Sequence, residues 1–130
     1  MPKVNFTQKA LIFNSQGKFL IIKRSSTAPA NAQKWDLPGG EIEIGEDPEE
    51  ATRREIKEET HLEVADLTPY DVESHINNRG EFWVSVAYKT TTKQELVKLS
   101  FEHDEFRWVT KEEFSGFDST PKINRFINKA

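Results

Sequence analysis

Cysteine is absent from the chain, which excludes a disulfide framework and any thiolate metal site and leaves oxygen and nitrogen as the metal-binding side-chain atoms. A basic excess is missing too. Eighteen Lys and Arg stand against 22 Asp and Glu, a net charge of -4, so there is no electrostatic footprint for long nucleic acid. Long apolar runs are equally scarce: ALIF and FLII are four residues each, against the roughly 18 that cross a bilayer. The start, MPKVNFTQK, has no apolar core of a secretory signal. These gaps point to a cytoplasmic protein without a membrane partner. No internal repeat or low-complexity tract divides the 130 residues, so a single domain spanning 1–130 is expected.

What is present folds readily. Hydrophobic residues make up 35% and charged residues 31%, enough for a core beneath a heavily charged surface. VNFTQKALIF reads as a strand, NSQG as a turn ending in Gly17, and KFLIIKR as the returning antiparallel strand. STAPANAQK, residues 26–34, reads as a loop able to touch a ligand. PYDVESHI and EFWVSVAYKT read as strands around the turn NNRG, and FRWVT as a further strand end. Thr110 with Glu113 forms a capping-box pattern before the short helix KEEF, and Thr120–Pro121 opens a terminal helix with Ile123, Phe126 and Ile127 on one face. Strands interleaved with three helices predict an α/β or α+β sandwich, a mixed β-sheet covered by helices.

The helix between these halves carries the chemistry. Asp47 is a suitable N-cap, Pro48 suits the first helical position and Glu50 falls three residues after the cap, so the helix is expected over about 48–60. Glu55, Glu58 and Glu59 then stand at i, i+3 and i+4 and share one face. Such a cluster is commonly a solvated surface. Yet like charges at these spacings cost about 0.2 to 0.5 kcal/mol per pair, and a hard divalent cation, Mg²⁺ or Mn²⁺, reverses the sign. Arg54 is positioned to brace Glu50 or Glu58, each four residues away. Upstream, Pro38, Gly39 and Gly40 are expected to turn tightly, letting bare backbone approach a ligand and a carbonyl join a metal shell.

Taken together, Gly40, five residues, Glu46, seven residues, then Arg54, Glu55, Ile56, one residue, Glu58 and Glu59 resembles the Nudix box of the Nudix hydrolases. Lys23–Arg24 after the second strand, WDLPGG before the box and FEHDEFRWV near the end resemble the MutT-like branch, so the likeness covers most of the chain. One position departs: His61 stands where the family pattern has glycine at the helix end, a site of positive φ.

The resemblance implies a Nudix fold and divalent-metal-dependent hydrolysis of a nucleoside diphosphate linked to another group. It implies that Glu58 and Glu59 are metal ligands, that Glu55 is a ligand or the general base, that Gly40 contributes its carbonyl, and that Glu46 and Arg54 support the site. Glu102, in the FEHDE segment, is the matching loop glutamate for base or ligand. Arg24 matches a substrate-binding position, where a guanidinium fork suits phosphate, and Gly39 is a second substrate-binding candidate. Trp35, Phe82 and Trp83 are candidates to stack a base. A nucleoside triphosphate cleaved to monophosphate and pyrophosphate is the leading substrate. The spacings downstream of the box lack the proline of many ADP-ribose enzymes and the tyrosine of dinucleoside polyphosphate enzymes. ADP-ribose or a nucleotide sugar is the alternative. A noncatalytic nucleotide sensor is the alternative of another class, although the acidic core is intact and no DNA-binding domain is attached. DSTPK, residues 118–122, holds no asparagine in the register that reads 8-oxoguanine, and Asn124 is displaced from it. Monomer and homodimer are both compatible with the sequence.

Overall fold

The structure, a computed structural model, describes residues 3–130. Among these residues seven strands and three helices follow in the order β1 (Val4–Phe13), β2 (Phe19–Arg24), β3 (Trp35–Asp36), β4 (Gly39–Glu41), α1 (Pro48–Thr60), β5 (Thr68–Ile76), β6 (Phe82–Thr91), β7 (His103–Val109), α2 (Lys111–Phe114) and α3 (Pro121–Asn128). Among the described residues no helix is long and apolar enough to cross a membrane.

β1 organises the sheet. It pairs in parallel with β6 along its whole length, from Val4 opposite Phe82 to Phe13 opposite Thr91, and β5 extends β6 antiparallel. The hairpin partner β2 meets β1 only at its end, Phe13 opposite Phe19. Beyond that point the two strands diverge: β4 takes the free edge of β1 at Thr7–Lys9, while β2 pairs with β3 and β7. The mixed α+β sheet is therefore forked.

Both faces of β1 and β2 are covered, which is why ALIF and FLII read as unbroken apolar runs rather than alternating ones. Leu11, Phe19, Ile21 and Trp35 pack with Phe114, Ile123 and Phe126 of the later helices. Ala10, Ile12, Leu20 and Ile22 pack with Ile56 of α1 on the other side. The helices thus sandwich the sheet.

α1 starts as its sequence dictates, with the Asp47 carboxylate accepting from the Glu49 and Glu50 amides. Its end is the exceptional feature. His61 adopts φ 62° and ψ 14°, the left-handed cap expected there, and its Nδ1 lies 2.8 Å from the Lys98 carbonyl oxygen. The Thr110–Glu113 capping box also forms as its sequence pattern indicates.

One expectation is corrected. Gly39 and Gly40 do not make a tight turn; they form β4, antiparallel to β1. A Cβ on Gly39, whose φ is 148°, would lie 2.0 Å from the Gln8 carbonyl oxygen, so glycine is required by strand proximity.

Candidate active site

β4 and α1 build the site between them. The Glu59 side chain, 7% exposed, reaches back to β4 and accepts from the Gly39 amide at 2.8 Å. Burial pushes its carboxyl up to about 8, with Asp36 and Glu55 adding to the rise and Lys9 and the Gly39 amide opposing it. Glu55, half-buried, lies against Gly40: a Cβ there would come within 2.5 Å of the Glu55 carboxyl carbon. Burial raises Glu55 as well, against the pull of Arg54, with Glu58 and Glu102 contributing to the rise. Glu58 is solvent-exposed.

Arg54 holds this acidic face in register. Its Nε and one terminal nitrogen form a fork with Glu46, at 2.8 and 3.0 Å, and its other terminal nitrogen lies 3.0 Å from Glu55 and 3.2 Å from Glu58. The Glu46 hydrogen bond is the largest influence holding Arg54 above its ordinary pKa, and the same contact lowers Glu46. Of the two expected partners, Glu58 pairs with Arg54 and Glu50 does not. The loop between β4 and α1 folds Glu46 over the guanidinium and supplies the stronger pairing.

A second polar group adjoins the first. The Lys9 ammonium is 2.9 Å from Asp36 and donates to the Leu37 carbonyl; an Arg24 terminal nitrogen lies 3.8 Å from Asp36 while Arg24 Nε donates to the Ala30 carbonyl at 2.8 Å. Burial alone would raise Asp36, but Lys9 and Lys122 bring it below its usual value. His103 is buried with Nδ1 unpartnered, and desolvation lowers it to about 4. Glu102 beside it is exposed, and the Ser25 amide donates to its backbone carbonyl. Arg24 and Glu102 thus share one rim.

Of the aromatic candidates, Trp35 is core, its ring edge-on to Phe117 at 5.1 Å. Phe82 shares the sheet face of Val86, on the α1 side, away from the later helices. Trp83 stands opposite His75 and keeps a buried, unpartnered Nε1. Lys9 and Asp36 were not singled out by sequence, although a lysine within the buried QKALIF run was the available signal.

Glu55, Glu58, Glu59 and Gly40 present only oxygen donors, two of the carboxylates are destabilised as anions by burial, and glycine leaves the space they need. That chemistry fits a hard divalent cation. Among the described residues no three or more acidic or histidine side chains stand close enough together to hold a metal ion by themselves.

Residues 7–129 match the sequence pattern of the NUDIX domain. The nucleoside triphosphatase NudI of Salmonella arizonae is 28% identical over 117 residues, covering 82% of this chain and 83% of that protein. The crystal structure of a MutT protein from Methanosarcina mazei Go1 superposes with a TM-score of 0.80 at 30% identity, covering 98% of this chain and 92% of that one. The NUDIX domain of Shewanella oneidensis NrtR, solved with ADP ribose, reaches 0.84 at 19% identity over 99% of this chain and 87% of that one, a likeness of fold alone.

Proposed function

From the premise that this chain belongs to the NUDIX domain family, as a MutT-like Nudix pyrophosphohydrolase, we propose that it hydrolyses nucleoside triphosphates to the monophosphate and pyrophosphate with Mg²⁺ or Mn²⁺. The observation that carries this reading is the seating of Glu55 and Glu59 against the two glycines of β4, beside the exposed Glu58. Its supporting relative is the nucleoside triphosphatase NudI of Salmonella arizonae.

Glu58, Glu59 and the Gly40 carbonyl would hold the cation, with Glu55 or Glu102 completing the shell. When bound, the ion neutralises polyphosphate charge and acidifies a coordinated water. The chain supplies the rest. Arg54, itself fixed by Glu46, keeps Glu55 and Glu58 at the helix face. Arg24 offers a terminal nitrogen to a phosphate oxygen, its Nε being committed to the Ala30 carbonyl and its other terminal nitrogen lying 3.8 Å from Asp36. Glu102 lies close enough to raise Glu55, and this pair receives the proton of the attacking water, with Glu102 as the acceptor. Loss of catalysis, as in a sensor, is disfavoured by the intact Arg54, Glu55, Glu58 and Glu59.

The test is a panel of nucleoside triphosphates, ADP-ribose and nucleotide sugars with Mg²⁺, both products being identified by chromatography. Monophosphate plus pyrophosphate is expected. Turnover of ADP-ribose with none of any triphosphate, or release of inorganic phosphate, would overturn the assignment.

A further inference from the structure

β5 inverts the polarity expected of an outer strand. Such a strand ordinarily turns its apolar side chains to the core and its polar ones to water. Here Glu73 is 8% exposed, while Val72 and Ile76 are 54% and 70% exposed. The polar set, Asp71, Glu73 and His75, faces α3, where Arg125 forks onto Asp71 at 3.0 and 3.2 Å. The apolar set is left outside.

The inversion extends across the sheet on its α1 side. Val4 stands opposite Phe82 and Phe82 opposite Ile76; two residues further on, Phe6 and Val84 form the next row, and Val86 and Val72 the one after. The other places in these rows are Ser74 and Gln8, so no charged side chain interrupts them, in a chain where 31% of residues are charged. α1 packs over the adjoining part of the face, at Ala10, Ile12 and Tyr88, and stops short of these rows. Val4 is 60% exposed, Phe82 is also exposed, and Phe6 and Val84 are half-buried. Depletion of charge over a contiguous apolar area marks the core of a protein interface.

We propose that this bare face is where two copies of the chain pack sheet against sheet about a two-fold axis. The inference is independent of the reaction proposed above. A two-fold contact brings the same patch together from both copies, and a flat apolar sheet face is complementary to itself. The area is adequate. Val4, Val72, Ile76 and Phe82 leave roughly 400 Å² of apolar surface in water, against the about 500 Å² that a homodimer contact of standard size takes from each partner. Phe6 and Val84 add to it. So does the loop that leaves β4, which heads toward the Val4 end of β1 and holds the wholly exposed Ile44. Charge is complementary as well. Asp47 and Glu49 of the α1 start lie near Tyr88, one row beyond Val86, whereas Lys3 precedes Val4 at the opposite end. A two-fold arrangement with antiparallel strands sets the acidic end of each copy over the basic end of the other. An anionic lipid surface is the wrong occupant, because those acids and the net charge of -4 repel it. Addition of a strand at the sheet edge is obstructed too, since the Val72 carbonyl already accepts from Arg125.

The experiment is sedimentation equilibrium of the full chain at tens of micromolar, for the wild type, Val4→Glu, Val72→Glu and Leu96→Glu. The wild type is expected at about twice the 15.0 kDa of one chain. Val4→Glu and Val72→Glu each place a charge twice in the contact and should weaken self-association at least about 100-fold. Both side chains are exposed, so far-UV circular dichroism should show the fold unchanged. Leu96 is as exposed but lies outside these rows, and its glutamate variant should remain dimeric. A wild type that stays at 15.0 kDa overturns the proposal, and its flotation with phosphatidylcholine vesicles would then assign the face to a lipid surface. A dimer that survives both substitutions, or that Leu96→Glu disrupts equally, overturns it by placing the contact elsewhere.

Discussion

The Gly39 amide donates to the Glu59 carboxylate at 2.8 Å, tying β4 to the last turn of α1 across the site. One glutamate of the acidic face is thus drawn inward, to 7% exposure, while its neighbour Glu58 stays in solvent. The two differ in how much the fold depends on them.

Glu58→Gln and Glu59→Gln are each expected to lower kcat at least about 100-fold at saturating Mg²⁺, because each removes negative charge from the cation's shell. With a chelator present, Glu58→Gln should melt within ~0.5 kcal/mol of the wild type, as a surface substitution does. Glu59→Gln should be at least as stable as the wild type at pH 7 and above, since an amide suffers no charge burial. Wild-type turnover in both variants would sink the ligand assignment.

The two glycines of β4 should separate stability from activity. A Cβ at Gly39 meets backbone, the Gln8 carbonyl oxygen at 2.0 Å, so Gly39→Ala is expected to cost several kcal/mol in denaturant melts, on the order of other backbone-strain substitutions. A Cβ at Gly40 meets only the end of the Glu55 side chain, at 2.5 Å to its carboxyl carbon, which can swing aside. Gly40→Ala should keep most of its stability and lose activity by displacing Glu55. The reverse pattern would show that Glu55 is not seated on Gly40.

His61 combines two opposed effects. Its left-handed backbone, φ 62°, carries strain of about 1 kcal/mol, whereas its ring contact with the Lys98 carbonyl contributes about 0.5 to 1.5 kcal/mol. His61→Gly relieves the first and loses the second, so its stability should stay within ~0.5 kcal/mol of the wild type. His61→Ala keeps the strain and loses the contact, and is expected to be destabilised by about 1 kcal/mol. Equal stability of the alanine and glycine variants would show that the strain is absent. Activity should survive in both.

Lys122 gives a pH signature. Burial, with Lys9 and Arg24 nearby and Asp36 and Glu73 opposing them, lowers its ammonium from 10.5 to about 8. Between those values the unfolded chain binds the extra proton, so this group makes stability rise with pH through that window, and below it the buried charge is a full cost. Lys122→Met is therefore expected to raise stability at pH 7 by ~1 to 3 kcal/mol and to lose that advantage by pH 10. Melting curves of the two proteins at pH 7, 8.5 and 10 check it; a constant difference would place the Lys122 amine in solvent.

Short-range geometry was legible in the amino-acid sequence because it depends on near neighbours. Asp47, Pro48 and the spacing of Glu55, Glu58 and Glu59 determine where α1 begins and which acids share its face, and the structure keeps that helix at Pro48–Thr60. The Asn14–Gly17 turn, the Thr110 cap and the left-handed end at His61 are local in the same sense. Only the tertiary structure decided what comes from strands distant in sequence. A glycine pair reads as a turn, yet the partner that makes it β4 is the edge of β1 left open where β2 diverges. Arg54 chooses Glu46 over Glu50 because a loop, rather than a helical turn, brings that carboxylate to the guanidinium. Lys9 meets Asp36, and Glu73 shares a cleft with Lys122, through strand register and helix packing. Local spacing carries no information about such contacts, because the chain must close long loops before they exist.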